Sequence, residues 1–63
     1  MQDEAVRKQK VFDELQKMEG ITLEDRMRFG AVISADTNKT IYLFSLPEEY
    51  RQYYVMMLID GRI

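Results

Sequence analysis

Apolar side chains recur at helical spacing in the first third of the chain. Val11, Leu15 and Met18 lie at i, i+4 and i+7, while charged and amide side chains fill the opposite face. Gly20 follows this segment, and glycine commonly ends a helix by adopting a left-handed conformation. The pattern therefore predicts an amphipathic helix over about 3–19.

A second helix is predicted to begin immediately after this turn. Thr22 is followed three residues later by Asp25, which is a weaker, Asp-containing version of the capping box. An apolar stripe at helical spacing continues to about residue 35. We therefore expect a helix over 23–35, with Gly30 as either a close-approach site or a weak point.

Residues 36–46 fit two different structures. The run 40–44 is β-branched and aromatic, which favours a strand that pairs with 29–35 in a hairpin. In the helical interpretation, Asp36 or Thr37 caps a short helix. The connecting residues lack the Asn-Gly or Asp-Gly pair of tight hairpins, so we prefer the helix.

The last helix has a clear start and stop. Ser45 with Glu48 three residues later matches the capping box, and Pro47 lies in the first turn, where it costs no hydrogen bond. Gly61 follows the last apolar position. These signals predict a helix over 47–60, and the whole chain, 1–63, is predicted to be one all-α domain of three to four short helices. The alternative is an α+β fold in which a β-hairpin lies between two helices.

The predicted last helix is apolar almost all round in its second half. A core-facing stripe is predicted at Tyr50, Tyr53, Tyr54, Met57 and Leu58. The opposite side then needs cover, either from the N-terminal helix or from a second molecule. We predict the second arrangement, with the partner-binding residues Val55, Met56, Ile59, Gln52, Arg51 and Tyr53.

Composition excludes most catalytic chemistry. The 63 residues contain no cysteine, histidine or tryptophan, which excludes a disulfide framework, a Cys/His metal site and a nucleophile–imidazole pair. Every pair of acidic residues is adjacent in sequence, so on a helix the two side chains diverge by about 100°. We therefore predict a protein that is not an enzyme, with no catalytic residue, no cofactor, no metal and no small-molecule substrate.

Charge sets the expected class of partner. Nine basic and eleven acidic residues give a net charge of −2, and acidic residues interleave with the basic residues of the first helix. We do not expect direct contact with nucleic acid, because such modules carry a basic excess. No apolar run approaches the roughly 18 residues of a membrane span, so we expect an intracellular protein without a membrane partner.

These observations favour a helical module for binding a protein partner or for homodimerisation. The alternative is a small regulatory protein, of the phage or mobile-element type, that docks on nucleic acid or on a nucleic-acid enzyme. Salt dependence of binding separates the two, because phosphate contacts weaken steeply with salt.

Three segments carry a resemblance to a known family: Leu15 with Met18-Glu19-Gly20-Ile21, then Phe44-Ser45-Leu46-Pro47, then Arg51 with Tyr54-Val55. Together they resemble the helical region that lies C-terminal to the DNA-binding domain in plant Myb/SANT-like, transposon-related proteins. Tyr53-Tyr54 stands where that family often has tryptophan. The resemblance implies an α-helical accessory domain that contacts proteins in a nuclear complex, without catalysis and without a DNA-reading helix.

Overall fold

The described part of the chain is a bundle of four short helices. The structure is a computed structural model that describes residues 4–63, and its helices are α1 (Glu4–Gln16), α2 (Leu23–Ala35), α3 (Thr37–Ser45) and α4 (Glu48–Ile59). The described residues contain no strand. The all-α prediction is confirmed, and the hairpin alternative is not needed.

Two of the predicted helix caps are present. The Thr22 hydroxyl accepts a hydrogen bond from the Asp25 backbone N–H at 3.1 Å, at the start of α2. The Asp36 carboxylate accepts one from the Lys39 backbone N–H at 3.1 Å, at the start of α3. Both side chains satisfy backbone donors that have no partner within the helix.

The predicted Ser45 cap of the last helix is wrong. Ser45 is the final residue of α3, and its hydroxyl donates to the Tyr42 carbonyl at 2.8 Å. The residue that precedes α4 is Pro47, which makes no side-chain cap hydrogen bond. Because α3 continues through Ser45, that residue is helical, whereas a capping residue needs an extended backbone.

The α1 helix ends before the predicted boundary, and its end is held by α2. The Arg26 guanidinium donates to the carbonyls of Leu15, at 3.2 Å, and of Met18, at 2.7 Å. Gly20 then takes a left-handed φ of 79°, which turns the chain toward α2. The predicted start of this helix at residue 3 lies outside the described residues.

The core draws on all four helices and on the turn between α1 and α2. Its members are buried apolar side chains: Val11, Leu15, Met18, Ile21, Ile33, Leu43, Tyr54 and Val55. The helices α1 and α2 form the most extensive pair, and α4 packs against α2 and α3. One side of α4 therefore closes the core, and the other side lies at the surface.

Candidate functional site

The face of α4 that enters the core includes Tyr54 and Leu58, as predicted, but it also includes Val55 and leaves Tyr50 and Tyr53 exposed. Val55, predicted as the centre of an exposed surface, is 0% exposed, and it packs within the core. Met56 and Ile59 are partly buried against the same core. The prediction that these three side chains form an exposed partner surface is therefore wrong for Val55 and weakened for the other two.

Arg51, predicted as a partner-binding residue, makes its polar contacts within the molecule. Its guanidinium lies 3.2 Å from the Glu14 carboxylate, and the side chains of this pair are only 19% and 7% exposed. It also donates to the carbonyls of Leu46, at 3.1 Å, and Phe44, at 3.3 Å. Arg51 therefore ties the α3–α4 connection to α1.

Gln52 also makes a hydrogen bond within the molecule. Its side-chain amide donates to the Glu19 carbonyl at 2.6 Å, across 33 positions of sequence. This bond joins α4 to the turn that follows α1. Of the six predicted partner-binding residues, only Tyr53 is strongly exposed, at 69%.

An aromatic groove lies at the surface between α3 and α4. Tyr53, one of its lining residues, is 69% exposed, and the rings of Tyr42 and Tyr50 are about half exposed. The groove has a volume of about 420 Å³. We call it the tyrosine groove, and its lining residues are Tyr42, Leu46, Tyr50, Tyr53, Tyr54 and Met57.

Packing between two rings shapes this groove. Tyr42 of α3 and Tyr54 of α4 meet edge to face, with ring centroids 5.0 Å apart and ring planes at 61°, an arrangement that aromatic pairs favour. Tyr54 is buried, and burial raises the pKa of its hydroxyl above the usual value of 10.0. The buried ring of Tyr54 and the half-exposed ring of Tyr42 therefore join α3 to α4 at the groove.

The hydroxyls of the groove are free to bind a ligand. Within residues 4–63, no hydrogen bond involves the hydroxyl of Tyr42, Tyr50, Tyr53 or Tyr54. A phenol can donate one hydrogen bond and also accept. The groove therefore combines apolar ring surface with phenol hydroxyls.

A second, acidic groove lies on the other side of the first turn of α4. Its volume is about 320 Å³, and it is lined by Glu14, Lys17, Met18, Glu48, Glu49 and Gln52. The Glu14 carboxylate is already paired with Lys17 and Arg51. Glu48 and Glu49 make no ion pair with any described residue, so their charges face solvent along this second groove.

Sequence reasoning missed Tyr42 and misplaced Tyr50. Both are half exposed and line the groove, although Tyr50 was assigned to the core. The available signal was chemical: a tyrosine tolerates a surface position because its hydroxyl stays in water, whereas an aliphatic side chain such as Val55 has no polar atom.

The described part of the chain gives no sign of other binding chemistry. Across residues 4–63, acidic side chains do not gather in threes where a metal ion could bind. None of the described helices has the length and apolar character that crossing a bilayer requires. Comparison with models of protein families, with curated proteins and with solved structures finds no match for this chain.

Proposed function

We propose that the protein is a non-catalytic helical module that binds a protein partner, or a second copy of itself, through the exposed face of α4. The observation that carries this proposal is the tyrosine groove, whose lining residue Tyr53 is 69% exposed. Tyrosine is enriched at protein interfaces because a rigid ring supplies contact area and its hydroxyl supplies a hydrogen bond. The binding surface is thus moved from Val55 to the opposite side of the same helix.

The balance of buried and exposed apolar side chains supports this proposal. Among the described residues, eight apolar side chains form the core, while ten large ones are exposed. A core of this size supplies only about 3–5 kcal/mol of stability. The chain has no cysteine for a disulfide. Burial of exposed apolar side chains against a second molecule would therefore add stability that the small core does not supply.

The resemblance to plant Myb/SANT-like proteins fits the same kind of function. It implies an accessory domain that contacts other proteins in a nuclear complex. Tyr53-Tyr54, which stands where that family often has tryptophan, contributes one ring to the groove surface and one to its floor. A nuclear location belongs to this proposal and rests on the resemblance alone.

Docking on nucleic acid through α1 is the weaker alternative. Lys8 forms an ion pair with Glu4 at 3.4 Å, and Arg7 donates to the Thr37 hydroxyl. The net charge of −2 gives no basic excess for phosphates. No arrangement of the described residues favours this alternative over the tyrosine groove.

Site-specific photo-crosslinking combined with sedimentation tests the proposed function. A benzophenone amino acid replaces Tyr53 in one sample and Met27 in a matched sample, because Met27 is similarly exposed but lies on α2. We expect position 53, and not position 27, to give discrete adducts with the chain itself or with a protein of the source cells. Sedimentation velocity over a range of concentrations then assigns any adduct of twice the chain mass to self-association.

The proposal fails if the chain is monomeric at every concentration and the two crosslinking positions give the same adducts. An adduct that depends on position 53 and disappears with Tyr50→Ala supports it, because Tyr50 lines the same groove. Nucleic-acid docking would instead give binding whose affinity falls steeply with salt and does not respond to Tyr53.

A further inference from the structure

The six side chains that line the tyrosine groove carry no charge. Four are tyrosines, and the other two are Leu46 and Met57. Lys39 lies one turn before Tyr42 on α3, and its ammonium pairs with the Asp36 carboxylate at 3.1 Å. The lining therefore offers no carboxylate to a ligand, and the charge of Lys39 is balanced by its own partner.

Aromatic ring faces are the main feature that the groove presents to a ligand. A phenol ring has a negative π face, so a cation that lies over that face is attracted to it. The rings of Tyr42 and Tyr54 are inclined at 61° to each other, while Tyr50 and Tyr53 are 53% and 69% exposed. The volume of about 420 Å³ is within the range of sites for small ligands. The groove can therefore attract positive charge without an acidic side chain.

The lack of a carboxylate in the lining selects among cations. A lysine ammonium has three N–H donors and is strongly hydrated, so its transfer to an apolar site without matching acceptors is costly. A quaternary ammonium has no N–H group, and its methyl groups present an apolar surface around the charge. Clusters of aromatic side chains recognise cations of this kind through cation–π attraction. The tyrosine groove therefore suits a quaternary ammonium better than an ammonium that still carries its N–H groups.

Trimethylated lysine presents this group on the surface of a protein. Methylation keeps the positive charge of the lysine, and the stem of the side chain supplies apolar surface that suits Leu46 and Met57. A neutral apolar segment could fill the same space, but it would gain nothing from the negative faces of the rings. Trimethyllysine is therefore the occupant that uses both the uncharged lining and the ring faces.

We propose that the tyrosine groove binds a trimethylated lysine side chain of a protein partner. This inference rests on the proposed function and names the chemical group that the same surface recognises. Tyr50 and Tyr53 supply exposed ring faces, and Tyr42 with Tyr54 supplies the inclined pair of rings. The ammonium lies over these faces, and the stem of the side chain contacts the aliphatic part of the lining.

NMR titration of the full chain with matched peptides tests this proposal. The probe is the acetylated and amidated peptide Gly-Ser-Lys-Ser-Gly with its lysine trimethylated, and one control carries the unmodified lysine. A second control replaces the quaternary nitrogen by carbon, which keeps the shape and removes the charge. We expect saturable binding of the probe within about 5 mM peptide, with shift changes at Tyr50, Tyr53 and Met57 and an upfield ring-current shift of the N-methyl resonance. Both controls should bind at least about threefold more weakly.

Substitutions on the protein test the role of the rings. Tyr53→Leu keeps an apolar side chain but removes the ring, and it should weaken probe binding by about three- to tenfold. Tyr53→Phe keeps the ring and should bind within about twofold of the original chain. Met27→Ala, at an exposed position outside the groove, is the matched control and should leave affinity unchanged. Replacing both Glu48 and Glu49 by glutamine should also leave it unchanged at physiological salt, because those residues line the second groove. Circular dichroism checks that each variant is folded.

The proposal is overturned if the trimethylated probe shows no saturable binding, or if its uncharged counterpart binds as tightly. It is also overturned if Tyr53→Leu binds the probe as tightly as the original chain. Choline that binds as tightly as the probe would overturn the assignment to a protein side chain and would make the groove a site for a free ammonium ligand. If the probe fails while Tyr53-dependent crosslinking persists, this inference is wrong and the interaction function stands. A dimer lost on Tyr53→Leu would then identify a second copy as the occupant.

Discussion

Gly61 and Gly30 have different roles in this fold. Gly61 has a φ of 73°, and its N–H donates to the Leu58 carbonyl while the next N–H, of Arg62, donates to Met57. This is a Schellman motif, which needs a left-handed residue after the helix. Gly30 instead lies inside α2 and is buried against α1, so it has no such conformational role.

Replacing Gly30 by alanine should stabilise the protein. A methyl group built there lies 3.8 Å from Phe12 and 3.9 Å from Leu15, which is ordinary van der Waals contact. Alanine also gains about 1 kcal/mol of helix propensity over glycine. Urea unfolding of Gly30→Ala should therefore show a free energy of unfolding higher by about 1 kcal/mol.

Gly61→Ala is the matched control for this substitution. The added methyl group at Gly61 meets nothing within 4 Å, so only backbone strain changes, and about 1 kcal/mol should be lost. A loss of stability in Gly30→Ala would contradict the packing described for α1 and α2, because it would mean that the two helices approach more closely than these distances allow.

Because of Tyr54, the free energy of unfolding should fall at alkaline pH. Burial raises the pKa of the Tyr54 hydroxyl above its ordinary value of 10.0, and Lys39 opposes this rise by favouring the ionised form. Between pH 10.0 and the folded-state pKa, Tyr54 therefore keeps its proton in the folded state and has released it in the unfolded state. The free energy of unfolding falls as pH rises through this range. Below this range Tyr54 is protonated in both states, and its full contribution to the free energy of unfolding is present.

Thermal unfolding of Tyr54→Phe across that alkaline range checks this expectation. The variant should lose less stability with rising pH than the original chain, because phenylalanine does not ionise. Tyr53→Phe is the matched control, because it removes the hydroxyl of an exposed ring and leaves the core unchanged. Equal slopes for the original chain and for both variants would show that Tyr54 ionises without cost in the fold.

At the scale of elements, the connection between α3 and α4 depends on one side chain. Arg51 donates to the carbonyls of Phe44, in the last turn of α3, and of Leu46, which follows α3. Its guanidinium carbon lies 5.4 Å from the Phe44 ring centroid. The same guanidinium pairs with the nearly buried carboxylate of Glu14. One arginine therefore links α1, α3 and α4.

Removing Arg51 should destabilise the fold strongly. Arg51→Ala leaves the buried Glu14 carboxylate with only Lys17 and exposes two carbonyls, and loss of such a partner costs about 3 kcal/mol. Arg51→Lys should recover less than half of this loss, because an ammonium group cannot bond two carbonyls and a carboxylate as a planar fork does. Chemical denaturation measures both values.

A double-substitution cycle with Glu14→Gln isolates the pair. If Arg51 and Glu14 act together, the cost of the double variant should be smaller than the sum of the single costs. Strict additivity would show that the carbonyl bonds of Arg51, rather than its ion pair, hold the connection.

The bounds of the helices could be predicted where periodicity and caps agreed. The second helix was predicted over 23–35 and has those bounds, because Thr22 caps its start. The segment that became α3 was ambiguous, because nine residues are too few for periodicity to separate a helix from a strand. Asp36 was the local signal that favoured the correct interpretation.

The helix that carries the candidate site could be predicted from the sequence, but the face of that helix could not. A helix that is apolar almost all round gives no periodic signal for the side that enters the core. The position of α3, joined to α4 by only Leu46 and Pro47, decides that Val55 faces inward. That constraint comes from the packing of the whole bundle, which a single segment of sequence does not contain.

For the molecule as a whole, the decisive contrast is between Val55 and Tyr53, which lie on opposite sides of α4. Val55→Ala removes two buried carbon atoms, and their transfer and cavity costs sum to about 2 kcal/mol, a large share of the stability of so small a domain. Tyr53→Ser removes a ring that is mostly in water, and the free energy of unfolding should change by about 0.5 kcal/mol or less. Urea unfolding at low protein concentration measures both, since dilution removes any stability that a second copy adds. If Tyr53→Ser proves as costly as Val55→Ala in the dilute monomer, α4 presents the other face to the core, and the tyrosine groove is not a surface of the folded chain.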